Sequence, residues 1–96
     1  MATEIYMDNN AKEVVMQVVL QAFDPTHKKH AAARRVMHYM LSLALTRGYR
    51  QGGVLNTYFR GAKQLQSPQM TERLINQLLE FVSADEFAEF VERIRY

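Results

Sequence analysis

Ninety-six residues, 48% of them hydrophobic and 23% charged, describe one ordinary globular domain, and two prolines, four glycines and no cysteine exclude a disordered chain, a collagen-like repeat and a disulfide scaffold. The formal net charge is only +2, and the uncharged run over residues 14–23 falls far short of the ~20 apolar residues of a membrane span. Glu4 and Asp8 stand where a secretion signal carries Lys or Arg, so a cytoplasmic protein is expected, in keeping with the lack of cysteine.

The expected fold class is all-α, a compact single-domain bundle of four to five helices over residues 1–96, with 1–9 as a flexible N-terminal segment. Asn10 with Glu13 three residues later reads as a capping box opening a first helix over residues 11–23. Val14, Val15, Val18, Val19 and Ala22 supply its apolar stripe, although so many valines keep a strand in competition. Asp24-Pro25, as N-cap and first helical residue, predicts a second helix from Pro25 to Arg47, stopped by Gly48. At 100° per residue Ala33, Val36, Met37, Met40, Leu43 and Ala44 share one arc of it. His27, Lys28, Arg34, Arg35, His38, Ser42 and Thr46 share the opposite arc.

After a turn at Gly52-Gly53, residues 54–65 are expected to form a third helix striped by Val54, Leu55, Tyr58, Phe59, Ala62 and Leu65 and weakened by Gly61, with a hairpin as the competing reading. Ser67-Pro68 opens a fourth helix striped by Met70, Leu74, Ile75, Leu78, Leu79 and Val82. Ser83 with Glu86 forms a capping box for a fifth, with Phe87, Phe90, Val91 and Ile94 turned inward. The aromatic crowding of Phe81, Phe87, Phe90 and Tyr96 near the C-terminus suggests some docking on a neighbour, as in self-association or binding to protein partners.

The small net charge conceals a strong division. Residues 1–24 carry −3, residues 25–71 carry +8 without a single Asp or Glu, and residues 72–96 carry −3. Such an asymmetry speaks to the partner and not to the fold.

Catalytic chemistry finds little support in the residues. There is no cysteine nucleophile, Ser67 and Ser83 serve as caps, and the Ser42–His38 pair has no acid to orient it within the basic block. His27 and His30 are three apart, but a metal site needs further ligands, and Lys28 and Lys29 between them repel a cation. Glycine-rich nucleotide motifs are lacking. The chain is therefore read as a non-enzyme with no metal, cofactor or small-molecule substrate.

A polyanion remains, and a nucleic-acid backbone rewards cations spread over a surface with no need of a sequence motif. The candidate contacts are Lys28, Lys29, Arg34, Arg35 and His38 on the second helix, Arg47 and Arg50 after it, and Arg60 and Lys63 on the third. Tyr49 is the candidate for stacking on an unpaired base. The N–H groups at Gly52-Gly53, with Gln51, Asn56 and Thr57, are candidates for donating to phosphate oxygens. The competing readings are an acidic protein partner, as for a phage-type inhibitor, or neutralisation of the basic block by the chain's own acidic ends.

In size, helical pattern and motif-poor basic surface the chain resembles the small helical subunits of CRISPR effector complexes. The resemblance implies a non-catalytic accessory subunit of an antiviral nucleoprotein complex, touching DNA or RNA backbone without regard to sequence.

Overall fold

Despite its valines, the first element is helical, because neither proline nor glycine interrupts residues 2–22 and the valines line one face against the rest of the chain. The computed structural model describes residues 2–61, 63–94 and 96, with side chains from Asn10 onward. In it α1 spans Ala2–Ala22. The helix thus takes in the stretch ahead of the expected start, and Asn10 lies inside it instead of capping it. Ala11, Val15, Val18, Val19 and Ala22 are buried.

The second helix begins five residues later than Pro25 suggests: α2 spans His30–Thr46. The delay has a local cause. The Asp24 carboxylate accepts from the Thr26 N–H at 3.0 Å and from the Thr26 hydroxyl at 2.6 Å, and His27 Nδ1 accepts from the Lys29 N–H at 3.0 Å. These side-chain bonds satisfy the backbone in turns, in competition with the helix. At its other end α2 closes as anticipated. Gly48 takes the left-handed φ of 106°, while the Tyr49 N–H donates to Ala44 O and the Gly48 N–H to Leu45 O. This is the paired closure that a glycine after the C-cap permits. The expected inner arc is buried at Ala33, Val36, Met37, Met40 and Ala44, joined by Leu41, while Leu43 is half-buried.

The helix α3, Val54–Arg60, is only seven residues long and ends at Gly61, short of the expected Leu65. A Cβ on Gly61 would lie 2.7 Å from Thr57 O, so this closure suits glycine. Its inward face is also rotated from the expected one: Leu55, Asn56 and Phe59 are buried and Val54 is exposed. The expected Ala62 lies outside the described residues.

The last two helices start where the caps place them. In α4, Pro68–Leu79, the Ser67 hydroxyl accepts from the Met70 N–H with Pro68 at the first position. In α5, Ala84–Arg93, Ser83 and Glu86 complete the reciprocal capping box.

The result is an all-α single domain with no strand among the described residues. α1 packs along both α2 and α5 and touches α4, and the short α3 leans on α4. A radius of gyration of 12.9 Å stands close to the about 12.5 Å of a packed chain of this length. Phe87 is fully buried, while Phe81, Phe90 and Tyr96 pack half-buried against the core. The C-terminal aromatics are thus largely interior, although Ile94 is exposed and so is Tyr39, which stacks on Phe90 with ring centroids 4.1 Å apart. Among the described residues no helix is long and apolar enough to cross a membrane.

Candidate nucleic-acid interface

The cations of the basic block divide into three groups once the helices are packed. The first gathers around Phe59. This ring is fully buried, and Phe23 meets it edge-on at a centroid distance of 5.8 Å. Arg34 and His38, one turn apart on α2, close over it. The Arg34 guanidinium carbon stands 4.3 Å from the ring centroid, and the His38 ring meets it edge-on at 4.7 Å. Arg60, next in the chain to Phe59, is exposed, and its Nε donates to Asn56 Oδ1 at 3.0 Å. Lys63 follows, its ammonium 5.4 Å from the Tyr58 ring centroid. Aromatic faces therefore hold two of the cations in place at little entropic cost.

The electrostatics of this group are one-sided. The His38 pKa is lowered, first by partial desolvation and then by the positive charges of Arg34 and Arg60. Among the described residues no carboxylate lies within ion-pair distance of Arg34, Arg60 or Lys63. Beside this group a cleft of about 110 Å³ opens between the end of α1, the turn before α2 and the segment after α3. It is lined by Ala22, Phe23 and Pro25 and by His30, Arg34, Lys63 and Gln64.

The second group, Lys28, Arg35 and Arg50, is exposed, with no side-chain hydrogen bond or ion pair among the described residues. Lys28 leaves the turn before α2, and Arg50 the loop after it.

The third group is otherwise engaged. Arg47 binds Glu86 of α5 through both carboxylate oxygens, at 2.9 and 2.7 Å, and also donates to Phe81 O at 2.9 Å. Lys29 donates to the Tyr96 main-chain oxygen at 2.8 Å and lies 4.8 Å from that ring's centroid, so it ties α2's start to the end of the chain. Neither fits the role of a free phosphate contact. In each case a long side chain reaches across to a partner that no sequence spacing discloses.

Tyr49 departs furthest from expectation. It is 9% exposed, its ring packs edge-on against Phe81, and its hydroxyl accepts from the Leu55 N–H at 2.9 Å and the Asn56 N–H at 3.3 Å. It caps α3 from inside and offers no face to a base. Gly53 serves the same end. A Cβ on Gly53 would fall 2.9 Å from Tyr49 Cε1 and closer still to its hydroxyl, and the Gly53 N–H already donates to Arg50 O. Asn56 is buried, with its amide donating to Gln51 O. Of the glycine N–H groups expected to hold phosphate, that of Gly53 is thus already engaged within the protein. Tyr49→Phe is expected to lose about 1–3 kcal/mol, the cost of leaving buried N–H groups unpartnered, as measured by urea unfolding. An unchanged midpoint would mean that water replaces the hydroxyl.

The Arg47–Glu86 pair carries a pH signature. Hydrogen bonding to Arg47, and next to the Ser83 N–H, lowers the Glu86 pKa from 4.5 to about 2. A carboxylate depressed in the folded state stabilises fully above its unfolded pKa, and that stabilisation is lost as pH falls through the folded value. Stability is therefore expected to decline between about pH 5 and 2, and Arg47→Gln to flatten part of that decline in thermal melts.

Phe59, Tyr58, His30 and Gln64 belong to the site but are not among the contacts expected from the sequence. Phe59 scores as core filler from its spacing, and only packing places Arg34 and His38 on its rim. Among the described residues no three His, Asp or Glu side chains gather as a metal site. Compared with protein-family models, curated proteins and solved structures, the chain matches none.

Proposed function

We propose that this domain is a non-enzymatic accessory subunit that binds nucleic-acid backbone, without regard to sequence, through the face built by α2 and α3. The observation that carries this reading is the convergence of Arg34 and His38 on one buried aromatic ring, with the charge of Arg60 felt at His38, Lys63 beside them and no described carboxylate within ion-pair distance. Concentrated like charge destabilises a free protein, and a phosphate backbone relieves it. Exposed Lys28, Arg35 and Arg50 extend the contact, whereas Lys29, Arg47 and Tyr49 no longer belong to it. Membership of a larger nucleoprotein complex, of the kind the small CRISPR subunits exemplify, suits a domain whose surface grips without catalytic groups.

The test is binding of short random-sequence DNA and RNA, followed by fluorescence anisotropy as salt rises. Five exposed cations in contact give a log–log slope of about −4.5 on duplex and about −3.5 on a single strand. Affinity for duplex then falls about 500-fold between 50 and 200 mM salt. A slope near zero, or binding only to an acidic protein, sinks the reading.

A further inference from the structure

The cleft beside the Phe59 group differs in character from an open phosphate-tracking surface. Its floor is apolar, made by Ala22, Phe23 and Pro25, and its rim is polar, made by His30, Arg34, Lys63 and Gln64. At about 110 Å³ it is of the size that holds one compact group and not a length of chain. Two of the rim cations are braced from behind, Arg34 by the Phe59 ring and Lys63 by the Tyr58 ring. The third rim group is fixed as well. His30 Nδ1 lies 3.0 Å from Gln21 O, and since a carbonyl only accepts, Nδ1 bears the hydrogen. Nε2 is then the accepting ring atom, left for the hydroxyl of a singly protonated phosphate, a group that a diester lacks.

A phosphodiester within a strand carries one charge and two chain attachments, so it suits a groove that the strand runs through. A phosphomonoester carries up to two charges and a single attachment, and it can be lowered into a pocket from one side. Two fixed cations, an imidazole and an amide around a small recess match the second. We infer that this cleft is a phosphomonoester site, held by Arg34, Lys63, His30 and Gln64. The inference builds on the polyanion reading of the same face and makes it specific. The group comes either from the phosphorylated end of a nucleic-acid strand or from a free nucleotide, and the chemistry at the cleft is the same.

The experiment compares one oligonucleotide in three forms, 5′-phosphorylated, 3′-phosphorylated and hydroxyl-ended, with adenosine monophosphate and inorganic phosphate as competitors, at 150 mM salt. A phosphorylated end is expected to tighten binding about tenfold over the hydroxyl form, the worth of roughly one charge-assisted hydrogen bond. Lys63→Gln, at an exposed position that does not endanger the fold, is expected to weaken both forms, since Lys63 also belongs to the backbone contact, and to bring the ratio of phosphorylated to hydroxyl-ended affinity close to one, the ratio being the readout. Competition by the mononucleotide, with shifts of the His30 ring signals in NMR, assigns the cleft to a free nucleotide as well as to strand ends. Phosphorylated ends that bind without competition from the mononucleotide assign it to strand ends alone. Equal binding of all three forms, with no competition and no change at His30, overturns the inference and leaves the backbone reading standing. If hydroxyl-ended strands do not bind at any salt while the monophosphate does, the backbone reading falls and the cleft survives.

Discussion

Phe59→Ala is expected to cost about 3–5 kcal/mol, a large share of the 5–15 kcal/mol by which a small domain is stable. The ring is fully buried and makes edge contacts with Phe23 and His38 besides its contact with the Arg34 guanidinium. Removing it therefore opens a cavity at the junction of α1, α2 and α3 and releases both basic side chains that lie over it. Chemical unfolding measures the loss. Should the alanine variant fail to fold, Phe59→Leu keeps most of the volume and removes the aromatic face. It is expected to fold, with the His38 titration moved because the ring beside it is gone. A melting temperature unchanged by the alanine substitution would contradict the placement of this ring.

The second large effect concerns binding. Arg35→Gln with Arg60→Gln is expected to shorten the salt slope by about 1.8 on duplex, since each phosphate contact contributes about 0.9. Both side chains are exposed, and a glutamine at position 60 can still donate to Asn56 Oδ1, so stability is expected to stay within about 1 kcal/mol. Arg47→Gln is the matched control. Its guanidinium already serves Glu86 and Phe81 O, so it should leave the slope untouched. A slope that shortens with Arg47→Gln and not with the double change would relocate the interface to the α2–α5 side.

How much of this could be read in advance depended on the range of the interaction concerned. Ser67-Pro68 and Ser83 with Glu86 marked two helix starts correctly because capping is decided within four residues. Gly48 marked a stop for the same reason. Asp24-Pro25 misled because the carboxylate has a second local option, an Asx turn with Thr26, that leaves the helix to start at His30. On α2 the apolar period located the inner face, and with it the outward side of Arg35 and His38. On the seven-residue α3 the period had too few turns to work with, and Val54 and Asn56 exchanged places between the surface and the interior. The acid-free block of residues 25–71 holds the cations that gather around Phe59. It gave no sign that Glu86 reaches back to Arg47, or that the Tyr96 main chain engages Lys29, because both partners lie more than thirty residues away. Tyr49, set between two arginines and two glycines, has the local look of an exposed aromatic. Its buried hydroxyl is a tertiary fact.

An isolated helix of two turns does not persist in water, so α3 owes its existence to its surroundings: the Tyr49 hydroxyl at its head and Phe59 wedged beneath α2. The surface proposed to grip a polyanion is thus partly mounted on the segment least able to stand alone. An occupant bridging Arg34 on one helix and Arg60 on the other would act as a splint across that seam. Affinity and local rigidity then rise and fall together, and some of the free energy of association is spent on settling the protein itself.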